Sequence, residues 1–319
     1  SGYRGREFNA RDCTVMTTQQ EPLGIARAEA DEEELPEDAL DAIRPHNPVT
    51  VFGFACREAP NLMPMPIYLA HRLARGLDTA RESGALPWLH PDGKVQVAVR
   101  YEGGRPASLR SIAIAPTGER GIGEKELRQG LMDVVVAPAF RNQPLAPGRG
   151  TRVLITPSGP LREGGPALHA GLTGRKTGID SYGEYARHSG SAMSGKDPLR
   201  VDRSGAYAAR WAAKNVVAAG LADSCEVLLS YEVGRAEPIS IQVRGAGGRG
   251  LDDAKLTRRV STVFDFRLGA ILRNFALRRR AAKAERGYFE ALSAYGQVGR
   301  EDLEVPWEQL DRVDGLSRR

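Results

Sequence analysis

The order of segments constrains the fold of this chain more than any other feature. Residues 66–82, PIYLAHRLARGLDTARE, place Ile67, Ala70, Leu73 and Leu77 at helical spacing behind Pro66. Residues 94–115 then alternate Val95, Val97, Val99 and Tyr101, turn at Gly103-Gly104 and alternate again, which predicts a β-hairpin. A second helix is expected over 124–137 and a closing strand over 151–156. The order then recurs as a helix over 203–219 ending at Gly220, a hairpin over 225–243 and a helix over 252–264. Helix, hairpin, helix repeats at an offset of about 130 residues, so the expectation is an α/β (α+β) fold built from two copies of one unit, with mixed sheets.

Other classes are disfavoured by composition. No apolar run approaches the roughly 18 residues that span a membrane. The opening residues SGYRGREFNA lack the charged-then-apolar pattern of a secretory signal. Cys13, Cys56 and Cys225 are odd in number and far apart, and no CxxC pair is present, so neither a disulfide framework nor a zinc site is expected. These features point to a cytoplasmic protein. The net charge of +5 is spread along the chain and only 6% of residues are aromatic, which gives little with which to bind nucleic acid. Residues 29–41, EADEEELPEDALD, read as an acidic linker.

Charge concentrates in two neighbouring stretches, GLTGRKTG at 171–178 and SGKDPLRVDRS at 194–204. Arg175 and Lys176 stand between glycines, where backbone can approach a ligand closely. Lys196, Arg200 and Asp202 follow at the mouth of the helix expected from about 203, whose unpaired N–H groups and dipole favour an anion. A carboxylate among such cations suits a metal–polyphosphate, because Mg²⁺ is usually held by one or two carboxylates plus phosphate oxygens. The plainer alternative is that Asp202 caps the helix and that Lys196, Asp197 and Arg203 are solvated charges.

The run from Gly171 to Asn215 resembles the C-terminal domain of S-adenosylmethionine synthetase. The resemblance extends to LMPMPIYLAHRLAR (62–75), LPWLHPDGKVQV (86–97) and, near the end, AYGQVGREDLEVPWE. It implies a fold of three similar α/β domains related by a pseudo-threefold repeat. One copy is largely missing here: a tail at 1–28, a linker at 29–43, a central domain at 44–160 and a C-terminal domain at 161–319. It also implies attack of methionine sulfur on C5′ of ATP, loss of the triphosphate, and its hydrolysis to phosphate and pyrophosphate. Mg²⁺ and K⁺ are implied as cofactors. By the same resemblance, Lys94, Arg175, Lys176 and Lys196 would hold the triphosphate and Asp202 would bind Mg²⁺. Asp92 and Ala192 would lie at the nucleotide, and Gln20 and Arg200 on the methionine side. Active sites between subunits imply a homodimer or homotetramer, or a heteromer with a complete family member.

Several positions depart from the family pattern. No His-Pro-Asp-Lys motif occurs. Where the family has Gly-Asp-Gln-Gly this chain has His46-Asn47-Pro48-Val49, and Arg-Phe is replaced by Pro160-Leu161. Leu161 can still cover an adenine face but without aromatic stacking. His169 stands where a substrate-binding carboxylate is expected, and Arg200 replaces a lysine with different reach and geometry. Three functions are therefore open: the synthetase reaction, a non-catalytic partner subunit, or a paralogue with another nucleophile or nucleotide.

Overall fold

The computed structural model describes residues 3, 8–18, 34–119, 121–156, 164–166, 168, 169, 171, 176–248, 251–284 and 287–317. Two compact units separate, one drawn from Ser1–Arg27 and Met65–Leu172, the other from Ala28–Pro64 and Thr173–Arg319. The first strand in the chain, β1 (Val49–Cys56), belongs to the second unit.

The first unit opens with α1 (Met65–Glu82), which buries Ile67, Leu69, Leu73 and Leu77 along one side. Leu69 rather than Ala70 completes that stripe, because the longer side chain reaches the core. β2 (Leu89–Glu102) and β3 (Arg105–Gly118) form the expected hairpin. Gly103 and Gly104 sit at φ of 56° and 77°, as a tight turn with two left-handed residues requires. β4 does not extend the antiparallel pairing. Its residues Arg152–Ile155 run parallel to β3, so the sheet, in the order β2-β3-β4, is mixed. The helix expected over 124–137 is longer and irregular. It begins as α2 (Glu124–Gly130), widens to π spacing over Leu131–Val136, and ends as α3 (Ala137–Phe140). The widening directly precedes Pro138, which cannot donate a helical hydrogen bond.

In the second unit a single turn, α4 (Thr177–Asp180), precedes the central helix α5 (Val201–Ala218). Sixteen of the 18 residues of α5 are buried, so this helix is enclosed on every side rather than lying on a surface. Beneath it β1, β5 (Ser224–Tyr231) and β6 (Ser240–Ala246) make an antiparallel sheet in the order β1-β5-β6. The sequence reading missed β1, although VTVFGFAC turns Val51, Gly53 and Ala55 inward at period two. The repeat closes with α6 (Asp253–Val263), whose first turn is capped by Asp252 accepting from the Lys255 N–H. Short helices α7 (Leu268–Phe275), α8 (Leu277–Lys283), α9 (Tyr288–Ala291) and α10 (Val313–Ser317) complete the unit.

An enclosed helix with polar side chains needs partners for each of them. Those of α5 come largely from the segment around 297–312. Tyr207 stacks on Trp307 at 3.7 Å between centroids and donates to the Gln297 side chain. Trp211 donates to Asp311, and Asn215 donates to the carbonyls of Trp211 and Gln309. Arg210 and Lys214 share Glu308. Among the described residues no helix is long and apolar enough to cross a membrane.

Candidate functional site

The charged stretch before α5 is a tightly pinned loop. Gly195 takes a left-handed φ of 79°, and Asp197 accepts the Leu199 N–H at 2.8 Å, turning the chain toward the helix. Gln297 donates to the Ser194 hydroxyl at 2.6 Å, and Arg278 lies 3.4 Å from Asp197. Arg200, exposed and extended, is the residue that precedes the first helical turn. Asp202 therefore lies inside that turn and does not cap it.

Asp202 is 3% exposed, and both oxygens of its carboxylate are engaged. Lys196 Nζ lies 2.9 Å from Oδ1, and Asn47 Nδ2 donates to Oδ2 at 3.0 Å. Burial pushes the Asp202 carboxyl upward, but Lys196, with Ser191 and Asn47 beside it, outweighs this and holds the group below its ordinary value of 3.8. A depressed carboxyl contributes stability above its unfolded pKa and loses it as pH falls through the folded value. Asp202→Asn should therefore melt lower than wild type at neutral pH, yet lose less further stability between about pH 5 and pH 3. Thermal melts across that range check this, and parallel curves for the two proteins would refute it.

Arg203 is not a solvated charge. It is 2% exposed, donates to the Lys196 carbonyl at 2.6 Å and to the Tyr207 hydroxyl at 3.0 Å, and lies over the Phe289 ring at 4.2 Å. The helical (i, i+4) spacing of Arg203 and Tyr207 is the sequence signal for this brace. Ala192 is half-buried beside Ser191, and Lys176 is exposed immediately before α4. Gln20, Leu161 and Arg175 lie outside the described residues.

The other expected contacts belong to the first unit. Asp92, on β2, accepts the Gly165 N–H at 3.0 Å, and its carbonyl accepts the Thr117 hydroxyl. The Tyr3 ring packs close against Gly165, which leaves no room there for a side chain. Lys94 is exposed at an open groove with Gln96, Ala113, Ala115, Leu154 and Thr156. His169 is exposed, and its Nδ1 accepts the Gly171 N–H at 2.9 Å, which leaves any proton of the neutral ring on Nε2. Within one unit, then, the structure brings Lys196 and Asp202 together, with Asn47, Ser191 and Arg203 around them. Among the described residues no group of three or more His, Cys, Asp or Glu side chains gathers as a metal site.

Fold and site together define a class: α/β proteins made of repeated helix–hairpin–helix units, with a cation–carboxylate cluster at the head of an enclosed helix. Comparison with known proteins identifies the members. The sequence matches the central domain of S-adenosylmethionine synthetase over residues 43–161 and its C-terminal domain over residues 163–309. The S-adenosylmethionine synthase of Trichodesmium erythraeum is 42% identical over 324 residues, covering 98% of this chain and 77% of that protein. That of Gloeothece citriformis is 43% identical over 96% of this chain and 76% of its own length, and that of a Synechocystis strain 42% identical over 99% and 78%. The chain belongs to the S-adenosylmethionine synthetase family.

Proposed function

We propose that this chain takes part in adenosyl transfer from ATP to methionine or a close analogue, with the triphosphate as leaving group. The observation that carries the reading is the Lys196–Asp202 cluster, a cation oriented at the head of a buried helix. A leaving group of about four negative charges needs preorganised positive charge, and such donors are worth on the order of 10²–10³ in rate each. In this reading Lys94, Arg175, Lys176 and Lys196 receive the triphosphate, and Asp92 and the Ala192 backbone contact the nucleotide. Leu161 covers adenine, while Gln20, His169 and Arg200 face the methionine side. The domain bounds 44–160 and 161–319 and a multi-subunit assembly with shared active sites belong to the same proposal, supported by the matched family segments.

The divalent ion that the resemblance implies does not fit the residues present. Both Asp202 oxygens already take protein donors, Lys196 and Asn47, and Asn47 is itself neutral. A changed organic pocket is the second reading, favoured by that neutral Asn47 and by His169 with its Nδ1 turned to backbone.

The test is incubation of the purified chain with ATP, methionine, Mg²⁺ and K⁺, with S-adenosylmethionine measured by mass spectrometry. Product above the protein-free control is expected, and Lys196→Ala should cut its rate by about 10²-fold. Folded protein that yields no adenosylated product from methionine or its analogues, and releases no triphosphate products, would sink the proposal.

A further inference from the structure

At the head of α5 a carboxylate is neutralised by the protein itself. Asp202 takes Lys196 on Oδ1 at 2.9 Å and Asn47 on Oδ2 at 3.0 Å. An ionised carboxylate has about four lone-pair positions, and each oxygen here already gives one to a protein donor. It can only accept, which fixes the Asn47 amide with its nitrogen inward. Mg²⁺ demands oxygens at about 2.0–2.1 Å in a near-octahedral set, drawn from one or two carboxylates together with phosphate oxygens and waters. Asn47 instead presents N–H to the cluster, and the Lys196 ammonium occupies the place where a bound ion's charge would be compensated.

We propose that Lys196 stands in for a divalent metal at Asp202, so that this site takes a polyphosphate through protein cations with no metal on the carboxylate. The proposal rests on the reading that a triphosphate enters here, and it goes beyond that reading by specifying the ligand as metal-free at this position. Three features support it. An ammonium has three donors, and the Lys196 side chain is 25% exposed, so it is anchored on Asp202 while still reachable by an anion from solvent. Arg203 holds the Lys196 carbonyl at 2.6 Å, which fixes the backbone that carries the ammonium. Asn47 holds the other oxygen of Asp202, so the anchor cannot rotate away without breaking that bond. Asp202 and Asn47 are positioning residues here, acting through Lys196.

The experiment measures Mn²⁺ binding to the full chain by electron paramagnetic resonance, in wild type, Asn47→Asp, Lys196→Ala and Asp202→Asn, each checked for folding by circular dichroism. Inorganic tripolyphosphate binding is measured by calorimetry, in EDTA and in Mg²⁺. Wild type should show no Mn²⁺ signal that depends on Asp202 at millimolar metal, and should bind tripolyphosphate in EDTA. Asn47→Asp should gain one Mn²⁺, by adding an anionic ligand, and Lys196→Ala should gain one by freeing Oδ1. Stoichiometric Mn²⁺ on wild type that Asp202→Asn abolishes would overturn the inference. Tripolyphosphate binding that requires Mg²⁺ and is lost in Asp202→Asn would overturn it equally. No gain of metal in either Asn47→Asp or Lys196→Ala would overturn the role given to those two donors. A wild type that binds no tripolyphosphate in either buffer, with Asp202 still free of Mn²⁺, would instead sink the triphosphate reading and with it the ligand assigned here.

Discussion

Glu308→Ala is expected to lower the melting temperature of the chain by on the order of 10 °C. Arg210 is fully enclosed in the middle of α5 and spends its guanidinium on five acceptors. It reaches Glu308 at 2.9 and 3.0 Å, and the carbonyls of Phe54, Leu62 and Asn61 at 2.7 to 3.0 Å. Lys214, one turn on, lies 2.8 Å from the same carboxylate, which also accepts the Gly299 N–H at 2.7 Å. Burial pushes the Glu308 carboxyl upward, but Arg210 and Lys214 together hold it below its ordinary value of 4.5. Truncation would leave two buried cations without their shared anion. Breaking such a cluster costs about 3–5 kcal/mol, because the stranded charges cannot be rehydrated where they stand. At about 2–4 °C per kcal/mol for a unit of this size, the fall is roughly 6–20 °C. Glu308→Gln, which keeps the shape and some hydrogen bonds, should lie between the two. Differential scanning calorimetry decides the matter, and a drop within about 2 °C would show that Arg210 and Lys214 find other partners.

Gly53→Ala should be as damaging for a different reason. A Cβ on Gly53 would lie 2.0 Å from the Ala209 carbonyl carbon, 2.2 Å from its oxygen and 2.3 Å from the Arg210 nitrogen. All three are backbone atoms in the middle of α5, so no rotamer change relieves the clash. The helix would have to lift off β1, and Arg210 would be carried away from the carbonyls it bridges. Overpacking that forces backbone movement costs about 3 kcal/mol or more. Gly123→Ala is the control: it has a φ of −68° and nothing within 4 Å of the added carbon, so it should stay within about 0.5 kcal/mol of wild type. Urea unfolding of the pair would contradict the account if both variants shifted alike.

The repeat is legible in local spacing alone. The periods of α1, of the hairpin turning at Gly103-Gly104 and of α6 follow from local spacing, and local spacing is set by backbone geometry that any fold must respect. The sequence also singled out Lys196 and Asp202 as charges with a purpose, because a cation and an acid crowded at a helix mouth are costly without a common task. What surrounds them comes from segments far away in sequence. Asn47 reaches Asp202 across 155 positions of sequence, and Glu308 reaches Arg210 across 98. β1 left its sequence neighbours in the first unit to pair with β5, which no alternation within Val49–Cys56 can announce. Arg203, a solvated charge in the plainer alternative, is buried, since its partners Tyr207 and Phe289 and the Lys196 carbonyl meet only after α5 is enclosed. Periodicity encodes which face of an element is apolar. Which distant group satisfies a buried charge depends on how the elements close over it, and that is a property of the folded chain.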